Sequence, residues 1–260
     1  MILGLKGKRA LVSGGTHGIG KAIALSLASE GCDVAVFSRT KNRVADMENV
    51  LRGYDVHSMS LVADVLDNDS YSHVYDNIMK EWGGVDIVVN NIGGGGRWGS
   101  PDLLQTEDSV WAEVYDKNLT AAMKYTKMFL PYMLSKKWGR VVTITSIYGK
   151  QAGGRPWFNV AKAAQTTLMK NLAINRQYAS SNITFNSVAP GGIWIPDTGW
   201  EKMRDEDPEG FEKFLVSNFP RGSMGTPEEV ADLVSFLCSE RASLINGASI
   251  SADGGESVYF

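Results

Sequence analysis

An apolar run, Arg-Ala-Leu-Val-Ser at 9–13, passes straight into Ser-Gly-Gly-Thr-His-Gly-Ile-Gly at 13–20 and then into a helical pattern that lasts to about residue 30. A strand, a glycine-rich turn and a helix in that order leave few folds open. Gly14 permits a tight turn, Gly18 removes a side chain where a ligand comes close, and Gly20 lets the helix pack against the strand. Thr16, His17 and Ile19 fill the positions between these glycines and share the candidate turn. The helix that follows presents unpaired N–H groups and a positive dipole end, which suits a phosphate. Glycines alone are a weak signal. Their place between a strand and a helix gives them weight.

The rest of the chain continues the alternation. Further strands are expected at Asp33–Ser38, Val56–Ala63, Val85–Asn90, Arg140–Ser146, Ile183–Ala189 and Ala248–Ala252. Helical patterns fall near 18–30, 41–52, 68–82, 107–136, 157–179 and 227–239. Runs such as VDIVVN and RVVTIT are continuously apolar, as strands covered on both faces are. This βαβ rhythm predicts an α/β chain, a single Rossmann-type domain over 1–260 with a doubly wound parallel sheet of about seven strands. Residues 194–220 break the rhythm with charge, aromatics and proline. They follow the sixth strand, where the ligand crevice of such a sheet opens, and are expected to form a substrate lid.

Composition removes several alternatives. The 260 residues carry a formal charge of −3 with no basic block, so nucleic acid is not an expected partner. Cys32 and Cys238 lie in apolar patterns and read as core residues. His17, His57 and His73 are scattered, and no metal site is expected. No run of about 18 apolar residues is present, and the first residues are charged too early for a signal peptide, so a cytoplasmic chain without a membrane role is expected.

The glycine turn resembles the TGxxxGIG motif of the short-chain dehydrogenase/reductase family, with Ser13 replacing its threonine. Asn90-Asn91-Ile92-Gly93 resembles the family's NNAG, Asn118 falls at its helix asparagine, and Ser146, Lys162, Pro190-Gly191 and Ser251-Ala252-Asp253-Gly254-Gly255 follow in the family's order. The resemblance implies a nicotinamide-dependent oxidoreductase acting on a small carbonyl or hydroxyl substrate, as a homodimer or homotetramer joined through 107–136 and 157–179. It also implies that Asp64 and Val65 flank the adenine, that Asn91 and Gly93 line the ribose–phosphate path, and that Ile193 follows Pro190-Gly191 to the nicotinamide. At the end of the second strand stand Ser38 and Arg39, where NAD binders usually carry an acid. Arginine forks two hydrogen bonds onto a 2′-phosphate, so NADP is the expected cofactor.

The resemblance further implies a Ser, a Tyr and a Lys at the reaction centre, aided by an Asn, with Lys162 also reaching the nicotinamide ribose. Tyr and Lys stand at i and i+4 on one helical face. Four residues before Lys162 this chain has Phe158, which has no ionisable group, and Ser146 and Phe158 are 12 positions apart, one fewer than is common in the family. Three readings follow. The natural residue is Tyr and Phe has been substituted for it; Phe is natural and Tyr148, Ser146 or a lysine-ordered water supplies the proton; or the chain binds NADP(H) without turnover, as a regulatory or structural protein. Beyond the fourth strand, four consecutive glycines lead to Arg97 and Trp98. These, with Arg155, Trp157, Trp194 and Trp200, are expected around the substrate, a pairing that suits an anionic or sugar-like ligand.

Overall fold

The computed structural model describes residues 2–259. Seven strands form one sheet: β1 (Arg9–Ser13), β2 (Asp33–Ser38), β3 (Ser58–Val62), β4 (Ile87–Asn90), β5 (Gly139–Ile144), β6 (Ile183–Pro190) and β7 (Ser249–Ala252). Their order is β3-β2-β1-β4-β5-β6-β7, and every pairing is parallel. Ala10 lies between Val34 and Ile87 in this register, and Val12 between Val36 and Val89.

The helices are α1 (Gly18–Ser29), α2 (Lys41–Leu51), α3 (Asp69–Trp82), α4 (Asp108–Tyr115), α5 (Ala121–Lys136), α6 (Pro156–Ala173), α7 (Arg176–Ser180), α8 (Gly199–Glu206), α9 (Pro208–Asn218) and α10 (Pro227–Cys238). Alternate strand residues point to opposite faces, which divides the core in two. Ala10, Val12, Val34 and Val36 pack with Ile23 and Leu27 of α1 and Val234 and Leu237 of α10. Leu11, Ala35 and Val141 pack on the other face with Tyr125 and Phe129 of α5 and Met169 of α6. Cys32 and Cys238 are both in the first cluster, as expected.

This arrangement positions the site. From β1 the chain winds through β2 to β3 on one side, then returns through α3 to β4 on the other. The connections leave β1 and β4 in opposite directions, so a crevice opens at their carboxyl ends.

The structure corrects several boundaries. The third strand is shorter than 56–63, and the fifth ends at Ile144, two residues before Ser146. The expected helix at 107–136 is α4 and α5 joined by a π-turn over Asp116–Thr120. The expected helix at 157–179 divides because Asn175 leaves helical geometry and its side chain accepts a hydrogen bond from Gln177 N, capping α7. Residues 194–220 contain α8 and α9. Asp207 caps α9, and Pro208 at the first position of that helix ends α8.

Candidate active site

The turn after β1 is built as the glycines required. Gly14 (φ +65°) and Gly18 (φ +53°) occupy the left-handed region, which costs other residues free energy. A Cβ on Gly20 would collide with the Gly14 carbonyl oxygen and Asn91 Nδ2. Asn91 Nδ2 donates to Ser13 O at 2.9 Å and Gly14 O at 3.3 Å, tying the turn to β4. Ser13 Oγ accepts from Asn91 N (2.9 Å) and Ile92 N (3.1 Å). The hydroxyl bridges the ends of β1 and β4, so serine performs this task without threonine's methyl group.

Beside the turn lies a cavity of about 310 Å³, lined by Gly14, Thr16, His17, Ser38, Arg39 and Arg43 on one side and Asp64, Val65, Asn91, Gly93 and Lys117 on the other. Thr16 Oγ1 donates to Ser38 Oγ at 2.9 Å, closing the join between turn and β2. Burial and the Arg43 guanidinium both hold the His17 pKa below its ordinary value. His17 is therefore largely neutral at pH 7 and adds little positive charge to this cavity. Burial, and then Arg39, likewise lowers the pKa of Lys117. Sequence reasoning missed Arg43 and Lys117. The signal for Arg43 was its place in the first turn of α2, four residues after Arg39.

A second cavity, about 560 Å³, adjoins the first. Asn91 and Gly93 line both. The second contains Ile19, Ser146, Tyr148, Phe158 and Lys162, faced by Pro190, Gly191 and Ile193. Two joined cavities, the first basic and opening on a helix N-terminus, suit a long ligand with phosphates at one end. Gly93 is the junction: a Cβ there would stand 2.7 Å from Asn118 Oδ1 and 2.8 Å from Lys162 Nζ. Only a bare backbone leaves the passage open.

Each polar group at the reaction centre is held by the fold. Ser146 follows β5 and its Oγ accepts from Tyr148 N at 3.2 Å. Asn118 is fully buried in the π-turn, where its Nδ2 donates to Val114 O (2.7 Å) and Gly94 O (2.9 Å). Gln165 of α6 donates to Asn118 O at 2.9 Å, fastening that turn to the helix carrying Lys162. Lys162 is buried; its Nζ donates to Ile144 O at 3.0 Å, and no carboxylate forms an ion pair with it among the described residues. Burial lowers its pKa from 10.5 to about 7. The Phe158 ring lies over the same cavity, its centroid 5.7 Å from Lys162 Nζ. Burial, and then Glu256, raises the pKa of the Tyr148 phenol, which makes it a poorer acid than an ordinary tyrosine.

The expected substrate contacts separate. Arg97 and Trp200 border the outer end of the cavity with Tyr148 and Phe158, and the Arg97 guanidinium stacks 5.0 Å from the Trp200 ring centre. Trp200, Phe214, Asn218 and Phe219 from the 194–220 segment line the reaction cavity itself. Trp157 is a correction: it is fully buried, and its Nε1 donates to Gly95 O at 3.2 Å, bracing the glycine loop from beneath. Successive helical residues point about 100° apart, so Phe158 reaches the cavity while Trp157 points into the packing between α4 and α6. Trp98, Arg155 and Trp194 also stand outside the reaction cavity. Trp98 packs against that same cluster beneath Lys117, and Arg155 precedes α6 at its N-cap. Trp194 lies in a separate groove with Phe211 and Arg204.

The family model described as enoyl-(acyl carrier protein) reductase matches residues 14–257. A 3-oxoacyl-[acyl-carrier-protein] reductase of Aquifex aeolicus is 35% identical over 259 residues, covering 98% of this chain and 99% of the relative. Among solved structures, L-sorbose reductase from Gluconobacter frateurii, complexed with NADPH and L-sorbose, superposes with a TM-score of 0.90 at 28% identity over the whole of both chains. Actinorhodin polyketide ketoreductase with NADPH gives 0.88 at 29% identity, covering 97% of this chain and 98% of that one. These likenesses run along nearly the full length of the chain, and the chain belongs to the short-chain dehydrogenase/reductase family.

Proposed function

We propose that this protein is an NADP(H)-dependent reductase of small carbonyl compounds that works without a phenol at position 158. The observation that carries this reading is a cavity that brings Ser146 and Lys162 together, with Asn118 buried behind Gly93, continuous with the basic crevice beside Arg39. The residues present fit the coenzyme. The bare junction at Gly93 and the N-terminus of α1 receive the diphosphate path, while Arg39 and Arg43 face a 2′-phosphate. When bound, NADPH supplies the hydride. Ser146 Oγ hydrogen-bonds the substrate oxygen, and Lys162 Nζ, with a pKa of about 7, releases a proton at neutral pH through an ordered water or the serine hydroxyl.

Calorimetry with NADPH and NADH, followed by NADPH oxidation with an acetoacetyl thioester and with L-sorbose as probes, tests this reading. Binding of neither coenzyme overturns it, and coenzyme binding without turnover supports a non-catalytic NADP(H)-binding role. Replacing Arg39 and Arg43 together by alanine is expected to weaken NADPH binding by about 10²-fold, a loss of roughly 3 kcal/mol of charge-assisted hydrogen bonding. NADH binding should hardly change.

The helices α8 and α9 are proposed to close over the substrate, since they supply Trp200, Phe214 and Phe219 to the cavity wall. Limited proteolysis checks this: cleavage between 197 and 218 should slow on adding NADPH and a probe ketone, and an unchanged rate would remove the lid from the scheme.

A further inference from the structure

One charged side chain in the reaction cavity has no part in the scheme above. Glu256 lies in the cavity wall with Ser146, Tyr148 and Phe158. It follows β7 and the turn Asp253-Gly254-Gly255, which holds it firmly. Asp253 accepts from Gly255 N at 3.0 Å and from Ser257 N at 3.1 Å, while Glu256 N donates to Asp253 O at 3.1 Å. One carboxylate oxygen, Oε2, accepts from Gly192 N. A Cβ on Gly191 would collide with that same oxygen, so the residue after Pro190 has to be bare for the carboxyl group to sit there.

The other oxygen, Oε1, has no hydrogen-bond partner among the described residues, and no lysine or arginine among them forms an ion pair with this carboxylate. Its surroundings are aromatic: Tyr148, Phe214, Phe219 and Trp200 line the same cavity. Burial raises its pKa, the Gly192 N–H opposes the rise, and Asp253 adds to it. A half-buried acceptor with no partner is satisfied when a ligand brings a donor, and it repels a ligand that brings an anion.

We propose that Glu256 is a specificity-determining residue that accepts a hydrogen bond from a substrate hydroxyl group near the reacting carbonyl, so that the cavity takes hydroxyketones and rejects oxo acids. The proposal rests on the reductase reading of this cavity and narrows its substrate class. It also reverses part of the sequence expectation. The sugar-like alternative is retained, but an anionic group beside Ser146 meets a like charge; Lys162 lines the same cavity with its Nζ engaged by Ile144 O, and the one arginine bordering this region among the described residues, Arg97, stands at the outer end.

Three probes of similar size separate the possibilities: dihydroxyacetone, 2-butanone and pyruvate, each with NADPH-saturated protein. Two quantities are read, kcat/KM from NADPH oxidation and binding by ligand-observed NMR. The wild-type chain is expected to prefer dihydroxyacetone to butanone by about 30-fold or more, with pyruvate poorest. Glu256→Gln should reduce the preference for dihydroxyacetone by about tenfold and admit pyruvate, with NADPH affinity and Tm unchanged. An identical probe ranking in wild type and Glu256→Gln overturns the proposal. So does a variant that loses NADPH affinity or Tm at constant ranking, because the carboxylate then only braces Gly192. The NMR ranking needs no turnover. A protein that ranks the probes as expected but oxidises no NADPH refutes the reductase reading and leaves the assignment of Glu256 intact.

Discussion

Phe158→Tyr is expected to raise the NADPH-dependent reduction rate by about 10²–10⁴-fold, because a positioned phenol is a far better general acid than the proton that Lys162 relays through a water or the serine hydroxyl. The helix already aims the ring correctly. Phe158 stands one turn before Lys162 on the cavity face of α6, with its ring centroid 5.7 Å from Nζ. It shares the cavity with Ser146, so a hydroxyl on the ring would be added beside the serine proposed to hold the substrate oxygen. Steady-state kinetics at a fixed probe concentration checks the effect, and NADPH affinity should stay within a few-fold. A rise of that size means the site is complete except for one oxygen atom. An unchanged rate in an already active protein means that another donor serves, and Tyr148→Phe then decides whether it is that phenol. The raised pKa of Tyr148 argues against it.

Lys162→Met is expected to act in opposite directions on activity and stability. Turnover should fall by about 10³-fold or more, because the proposed proton source is lost. The coenzyme-free protein should become more stable. Lys162 is buried without a counter-ion, and a fall in pKa from 10.5 to about 7 caps the cost of keeping it charged at roughly 5 kcal/mol. Part of the gain offsets the hydrogen bond lost at Ile144 O, so the net effect is about 2–4 kcal/mol, or about 4–10 °C in Tm for a domain of this size. The pH dependence follows from the sign of the shift. Below about pH 7 the amine is protonated in both folded and unfolded chains, and the whole penalty applies. Between about 7 and 10.5 the unfolded chain binds the extra proton, so wild-type stability rises with pH through this group. The Tm difference between variant and wild type should therefore be largest near pH 6 and shrink towards pH 10. A variant less stable than wild type at pH 6 would show that Lys162 is better compensated than its contacts indicate.

The parts of the fold visible in the sequence were those governed by local pattern. The ends of β1 and β2 coincide with their apolar runs, since a strand buried on both faces has no other composition open to it. The π-turn at Asp116–Thr120 was not legible: it contains neither proline nor glycine, and only packing against α6 reveals it. Trp157 was misplaced because its residue type groups it with the arginines and tryptophans expected around the substrate, whereas the helix turns it about 100° away from Phe158. Arg43 and Glu256 were missed for another reason. Each sits just beyond a recognisable motif, Arg43 within α2 after the Ser38-Arg39 strand end and Glu256 after Asp253-Gly254-Gly255. Their roles depend on what the opposite loop brings near.

The π-turn also absorbs a residue of chain length. It holds one more residue than a regular helical turn would, and this extra residue fixes the angular phase between α4, which buries Val114, and α5, which buries Tyr125, Phe129 and Met133. Winding the same residues as a regular helix would swing one of those apolar stripes about 100° out of contact, whereas deleting one residue would restore regular winding and keep both stripes in place. The extra residue is thus absorbed locally, within the turn that holds Asn118 against Val114 O and Gly94 O.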